Sequence, residues 1–174
     1  MKPIQITAGL AALALLGACQ TMHSDAPRAT AVLEPTKGST VRGNVTFVER
    51  GGHVHVTAKI TGLRPNGEFG FHVHEAGDCS SGDGMSTKGH FNPYGKPHAH
   101  AGTPERHAGD LPSLKSDGGG NASVSANLDV ITVSPGPASV VGRGLIVHAQ
   151  PDDFRTQPTG NAGARSACAV IQRG

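Results

Sequence analysis

The stretch "STVRGNVTFVERGGHVHVTAKITGL", residues 39–63, decides the fold class because apolar and polar residues alternate after a pair of glycines. Successive side chains of a β-strand point to opposite faces, so strict alternation predicts a strand with one buried face. Gly51-Gly52 supplies a turn signal between two such runs. The second run places Val54, Val56, Ala58 and Ile60 on one face and His53, His55, Thr57 and Lys59 on the other.

Similar short runs recur from about residue 29 and are separated by turn residues. They are "ATAVLEP" (29–35), "GEFGFHVHE" (67–75), "NASVSANLDV" (121–130), "ASVVGRGLIVHAQ" (138–150) and "ARSACAVIQ" (164–172). No segment longer than a turn or two has the period of a helix. The pattern predicts an all-β sandwich or barrel of about eight strands. The long stretch between about residues 76 and 115, rich in Gly, Pro and His, is typical of a functional loop.

The length and charge of the chain limit its class. The 174 residues are enough for one domain with a full core. The formal net charge is only +2, and no block of Lys and Arg or array of stacking aromatics is present. This composition excludes nucleic acid as an expected partner.

The first residues form a processing segment. One Lys precedes an apolar run that is short for a membrane span and suits a signal peptide. The run ends in "LLGAC", which resembles a bacterial lipoprotein signal, so we expect a signal peptide at 1–18 and lipid attachment to Cys19. Ordinary signal cleavage nearby is the alternative. Residues 19–28 then form a tether, and 29–174 form the domain.

The three cysteines are an odd number for an exported chain. If Cys19 carries a lipid, Cys79 and Cys168 remain as a pair. An oxidising compartment permits their disulfide. The bridge would close a loop of 89 residues, for which the chain-entropy account gives roughly 4–5 kcal/mol as an upper guide.

Two histidines stand one residue apart in "GFHVHEAGDC", residues 70–79. In a strand, His72 and His74 share one face and lie about 6.7 Å apart along the chain, while Phe71 and Val73 take the other face. Two imidazoles on one face can converge on a metal ion. A half-exposed strand with polar residues outward is the alternative for an isolated motif of this kind.

Further nitrogen and oxygen donors follow downstream. Imidazole suits both zinc and copper. They are His90, His98, His100, His107, Asp110 and His148. The pair His53 and His55 has the same spacing as the first motif, but its face also carries Thr57 and Lys59. We therefore expect that pair to face solvent, and we expect His100 to lie at the rim of a site.

Five segments of the chain, in this order, carry a family resemblance: "GFHVHE" (70–75), "GHFNP" (89–93), "ERHAGDL" (105–111), "VHAQPDD" (147–153) and "GNAGARSACAVI" (160–171). Together they resemble copper/zinc superoxide dismutase, over about residues 41–171, and in particular its bacterial exported members. The resemblance implies an eight-stranded Greek-key β-barrel with two long loops that hold the metal ions.

The resemblance also implies the ligand sets. It assigns copper to His72, His74, His90 and His148, and zinc, as Zn²⁺, to His90, His98, His107 and Asp110. His90 belongs to both sets. Asp152 matches the carboxylate that hydrogen-bonds a histidine of each site, here His72 and His98, and Arg165 matches the arginine that holds the substrate anion.

The implied reaction converts superoxide to oxygen and hydrogen peroxide by redox cycling of copper, with structural zinc and with His90 and Arg165 as catalytic residues. The alternative function is an exported lipoprotein that buffers copper and zinc without turnover. We expect a location in the periplasm or cell envelope, with an outer-membrane lipid anchor on Cys19 as the only membrane contact. The protein is a monomer or a homodimer, and the sequence does not decide between them.

Overall fold

The computed structural model describes residues 26–174, so the expectations for the signal peptide and Cys19 lie outside the described residues. The fold is all-β, as predicted, and within 26–174 the one helical element is a 3₁₀ turn, Met85–Thr87. The ten strands are β1 (Arg28–Pro35), β2 (Arg42–Arg50), β3 (His53–Thr61), β4 (Glu68–Phe69), β5 (Phe71–His74), β6 (Leu114–Lys115), β7 (Ala122–Leu128), β8 (Gly144–His148), β9 (Arg165–Val170) and β10 (Gln172–Arg173). Among these residues, no helix is long and apolar enough to cross a membrane.

Eight of the strands form one curled antiparallel sheet. Seven follow each other in the order β5-β8-β9-β1-β2-β3-β7, and β10 pairs with β1 beside this path. Strand β1 pairs with β2 along most of its length and with β9 at Glu34 and Pro35, so it connects the two halves of the sheet. Strands β4 and β6 form a separate two-stranded sheet.

The core lies inside the curl and follows the predicted alternation. In β3, Val54, Val56, Ala58 and Ile60 are buried and the polar residues between them are exposed. The largest buried side chains include Phe47, Phe71, Leu33, Ile60 and Leu111. One contiguous core of this kind, with many Val and Ala side chains, holds the sheet faces together through hydrophobic burial.

Two strand predictions were too long. The run "GEFGFHVHE" contains β4 and β5, which belong to different sheets, with Gly70 between them. The run "ASVVGRGLIVHAQ" contributes only Gly144–His148, because the backbone before it bonds to Thr132 instead: Val140 N–H donates to the Thr132 carbonyl and Thr132 N–H to the Ala138 carbonyl.

Candidate metal centre

Strand β5 carries the first two histidines and is covered on all sides. His72 is 1% exposed and His74 is 0% exposed, and their ring centroids lie 6.4 Å apart on one face. The loop after β5 folds back over this strand, since Val73 N–H donates to the Gly109 carbonyl and Phe91 N–H to the Val73 carbonyl. The alternative of a half-exposed strand with its histidines outward is therefore excluded, because both histidines are buried.

The same loop delivers His90 to the centre of the site. His90 makes an isolated bridge with His74, and its ring centroid lies 4.0 Å from that of His72 and 5.2 Å from that of His98. His148, the last residue of β8, supplies a fourth ring, 4.9 Å from His72. A strand pair and a loop thus bring together residues that lie far apart in the sequence.

Two donor clusters result, and they share His90. In each cluster the ligand atoms all lie within 4.8 Å of one another, and every member is buried. The first cluster is His72, His74, His90 and His148; the second is His90, His98, His107 and Asp110.

In the first cluster, hydrogen bonds fix which ring nitrogens are free. His74 Nδ1 lies 2.8 Å from the Lys88 carbonyl and His148 Nδ1 lies 3.2 Å from the Gly163 carbonyl, so each Nδ1 donates. Their Nε2 atoms, 3.4 Å apart, then carry lone pairs that face each other. His72 Nδ1 and His90 Nε2 are buried without a hydrogen-bond partner. Four convergent nitrogen lone pairs fit a cation, and imidazole suits copper.

The second cluster surrounds one carboxylate oxygen. Asp110 Oδ1 lies 3.0 Å from His98 Nδ1, 3.1 Å from His90 Nδ1 and 3.6 Å from His107 Nδ1. Three imidazole nitrogens and a carboxylate oxygen are a donor set of the four-coordinate kind that zinc takes in closed sites. The donors present therefore fit a zinc ion.

Asp152 connects the two clusters. Its Oδ2 accepts from His72 Nε2 at 2.7 Å, and its Oδ1 accepts from His98 Nε2 at 2.9 Å. These bonds leave Nδ1 of both rings free to bind metal, which is the usual effect of a carboxylate behind a ligand histidine. Gly160, at φ +64°, packs so closely on Asp152 and His98 that a Cβ there would overlap both side chains.

The protonation of these groups suits cation binding. Burial lowers the pKa of His90 to about 4 and that of His148 to about 3, so both rings are neutral near pH 7. Burial alone would raise the pKa of Asp110, but hydrogen bonds from His107, His90 and His98 hold it well below its usual range. Burial opposes charge on His98 too, yet its bonds to Asp110 and Asp152 raise its pKa to about 9. A metal ion would replace that proton.

Arg165 lies opposite His148 in the β8–β9 register. Its guanidinium donates from Nη1 to the Gly84 carbonyl and to Thr87 Oγ1, at 2.7 Å, and from Nη2 to the Lys88 carbonyl. The Thr87 hydroxyl donates in turn to the Gly84 carbonyl at 2.8 Å. Burial lowers the pKa of Arg165, which nevertheless stays charged near pH 7.

A disulfide links Cys79 to Cys168, which confirms that prediction. The bridge fastens the loop that carries Gly84, Thr87 and Lys88 to β9, three residues from Arg165. The contacts of Thr87 and of the Lys88 carbonyl were not anticipated from the sequence. A backbone carbonyl has no side-chain signature, and a lone threonine in a loop is common.

The other histidines of the described region stay outside the clusters. His53 and His55 are exposed, and His55 bonds to Asn127 Oδ1 at 2.8 Å on the outer face of the sheet. His100 is exposed, and its ring packs edge-on against Phe154 at 4.9 Å. The placement of all three agrees with what the polar face of β3 and the loop position indicated.

Comparison with known proteins decides the family. A family model described as copper/zinc superoxide dismutase (SODC) matches residues 41–171. The chain belongs to the copper/zinc superoxide dismutase family. As a superoxide dismutase, it is 38% identical over 149 residues to superoxide dismutase (Cu-Zn) 2 of Aquifex aeolicus (strain VF5), an alignment that covers 83% of this chain and 86% of that protein.

Two further comparisons agree. Superoxide dismutase (Cu-Zn) of Paramecium bursaria Chlorella virus 1 is 42% identical over 149 residues, covering 82% of this chain and 76% of that one. Among solved structures, the crystal structure of the clock protein EA4 aligns with a TM-score of 0.77 and 44% identity, over 86% of this chain and 96% of that chain. The dismutase therefore converts superoxide to oxygen and hydrogen peroxide, with copper and zinc as its cofactors.

Proposed function

We propose that copper binds the all-histidine cluster, His72, His74, His90 and His148, and that zinc binds His90, His98, His107 and Asp110. The donor chemistry supports this division, because only the second set contains a carboxylate, and three imidazoles with one carboxylate are a donor set that zinc takes. When bound, copper supplies one-electron redox chemistry and zinc supplies a fixed positive charge.

Arg165 orients the substrate in this proposal. Three acceptors hold its guanidinium beside the first cluster, so the charge points to one place without a reorganisation during the reaction. A guanidinium fork can hold a small anion such as superoxide through two N–H groups. His90 has its two nitrogens in different clusters. Its Nε2 can therefore deliver a proton to the product while Nδ1 keeps the ring in place.

The observation that carries this proposal is the placement of Arg165, which ligates nothing yet is fixed beside His148. Arg165→Ile should keep normal copper and zinc content but lose roughly tenfold or more in dismutation efficiency, about 1.4 kcal/mol of transition-state stabilisation. Arg165→Lys should have an intermediate rate, because the charge survives and the fork does not. Metal analysis and stopped-flow decay of superoxide measure both quantities.

A metal buffer without turnover would behave differently. It would have no rate to lose, and Arg165→Ile would match the parent in every measurement. The parent rate should also fall as salt rises, because attraction between Arg165 and an anion is screened over about 10 Å at 0.1 M salt. A fully metallated parent that is no faster than free copper would overturn the proposed roles.

The dismutase is further proposed to be exported and anchored as a lipoprotein in the periplasm or cell envelope. The motif "LLGAC", which follows an apolar run near the start of the chain, supports this. In this proposal Cys19 is the acylated first residue of the mature chain. Metabolic labelling with a fatty acid should mark the parent and not Cys19→Ser. Equal labelling of the two chains would exclude the anchor.

A further inference from the structure

A basic cleft lies at one end of the sheet, and none of its residues belongs to either metal cluster. It consists of two adjoining depressions of about 340 and 520 Å³ that share Arg28 and Arg50. The larger depression adds Arg173, and the smaller adds His53 and His55.

The strand register brings these side chains together. Arg28 begins β1 opposite Val48, while Arg50 ends β2 opposite His53. Strand β10 places Arg173 opposite Ala29, beside the start of β1. Three arginines that are distant in the sequence thus converge on the same edge of the fold.

Few negative charges oppose them. Arg28, Arg50 and Arg173 are the charged side chains that line the larger depression. Glu49, next to Arg50, is not among the residues that line the cleft, and its carboxylate accepts from the backbone N–H groups of Val133 and Ser134 at 2.8 and 2.6 Å. Asp129 is paired with Arg106. Among the described residues, no acidic side chain lines either depression, so the lining of the cleft has a net positive charge.

We infer that this basic cleft binds the phosphate groups of anionic lipids in the membrane to which the chain is anchored, an inference that rests on the proposed Cys19 anchor. Ala26 and Pro27 line the cleft. Cys19 lies seven residues before Ala26, and a chain of that length spans at most about 25 Å. The tether therefore keeps Ala26, at this edge, within about 25 Å of the bilayer. Each arginine near an anionic surface adds to the attraction.

This contact orients the enzyme. At the far end of β1, the Thr36 hydroxyl donates to the Arg165 carbonyl at 2.6 Å. Thr36 lies eight residues after Arg28, which in an extended strand corresponds to roughly 26 Å. Docking through the cleft thus directs the side of the fold that carries Arg165 away from the anionic lipid surface. A superoxide anion near that surface would be repelled.

Arginine footprinting tests the inference on the exported protein. The protein is reconstituted in neutral phosphatidylcholine vesicles or in vesicles that also contain phosphatidylglycerol, and it is labelled with phenylglyoxal. Labelling of Arg28, Arg50 and Arg173 should fall several-fold on the anionic vesicles only, and salt should restore it. Labelling of Arg42, at the opposite end of β2, is the internal control. Equal labelling of the cleft on both kinds of vesicle would overturn the inference.

A double variant and an ion control complete the test. In Arg50→Gln with Arg173→Gln, the protection of Arg28 should disappear. It should persist in Lys37→Gln with Lys59→Gln, which removes the same charge from exposed positions elsewhere. Equal protection in both double variants, or full protection by inorganic phosphate without vesicles, would refute a lipid-facing cleft. The mass of the N-terminal peptide reports acylation separately. If Cys19 is unmodified, the anchor fails, and the free chain added to the same vesicles still tests the cleft.

Discussion

A single threonine side chain helps to hold the guanidinium of Arg165. Thr87 is fully buried, accepts a hydrogen bond from Arg165 and donates one to the Gly84 carbonyl. It touches no ligand atom of either cluster. Thr87 is therefore a positioning residue, and its effect should appear in anion handling and not in metal content.

Replacing Thr87 by Val keeps its shape and removes both hydrogen bonds. We expect Thr87→Val to bind copper and zinc normally, to dismute superoxide about three- to tenfold more slowly, and to bind azide more weakly. Thr87→Ser, which keeps the hydroxyl, should restore most of both properties. The rate and the azide titration of the copper absorption band measure them. A Val variant with the parent's azide affinity would contradict a positioning role.

Gly160 offers a second residue-level test, because a Cβ there would collide with Asp152 and His98. Gly160→Ala should displace Asp152 and increase zinc loss to a chelator by about tenfold or more, within the range for residues behind a ligand. Gly38→Ala is the matched control, since Gly38 also has a positive φ, +83°, but open space around it. If the two variants lose zinc at the same rate, the collision has no effect on the site.

At the scale of elements, the disulfide holds the loop to β9. The double variant Cys79→Ser with Cys168→Ser lacks this bridge. It should lower the free energy of unfolding by at most about 4–5 kcal/mol for a loop of this length, and the melting temperature with it. Because Gly84, Thr87 and Lys88 lie on the freed loop, metal binding should loosen together with stability. Calorimetry and chelator competition measure the two effects. An unchanged melting curve, with both thiols reactive in the parent, would contradict the pairing.

The elements also show what the sequence could and could not predict. Strand β3 was predicted from its alternation, because one face is buried and the other faces water. Alternation failed in residues 138–143, where apolar residues lie in a turn whose backbone bonds go to Thr132. It gave no sign of the break at Gly70, because Phe69, Phe71 and Val73 keep the period of two across it. Local pattern reports burial, and it does not report which strand a segment pairs with.

The site was predicted to a greater extent than the topology. Histidine and aspartate ligands have distinctive side chains, and their motifs lie in register over most of the chain. The groups that orient them were less visible. The carbonyls of Lys88 and Gly163, which select the free nitrogens of His74 and His148, depend on loop conformation. Such positions become apparent only when both partners are placed in space.

For the whole molecule, the two donor sets imply different effects of each metal. All members of the second set, His90, His98, His107 and Asp110, lie in one loop, whereas the first set joins that loop to β5 and β8. Zinc alone should therefore slow hydrogen exchange within residues 90–110 of the metal-free protein, and copper should further protect β5 and β8. Exchange in β1 to β3, which carry no ligands, should change little. Uniform protection across the fold after zinc binding would contradict this division.

The backbone of Lys88 bears on how such an enzyme can diversify. Its φ of +64° with ψ of −146° is a conformation that glycine adopts freely and that costs other residues of the order of 1–3 kcal/mol. The carbonyl of this one residue accepts from both His74 and Arg165, so the turn cannot relax without moving both side chains together. A lineage that replaced Lys88 with glycine would relieve this backbone strain and lose one exposed cation from the loop. Selection for heat tolerance alone would therefore favour glycine at this position.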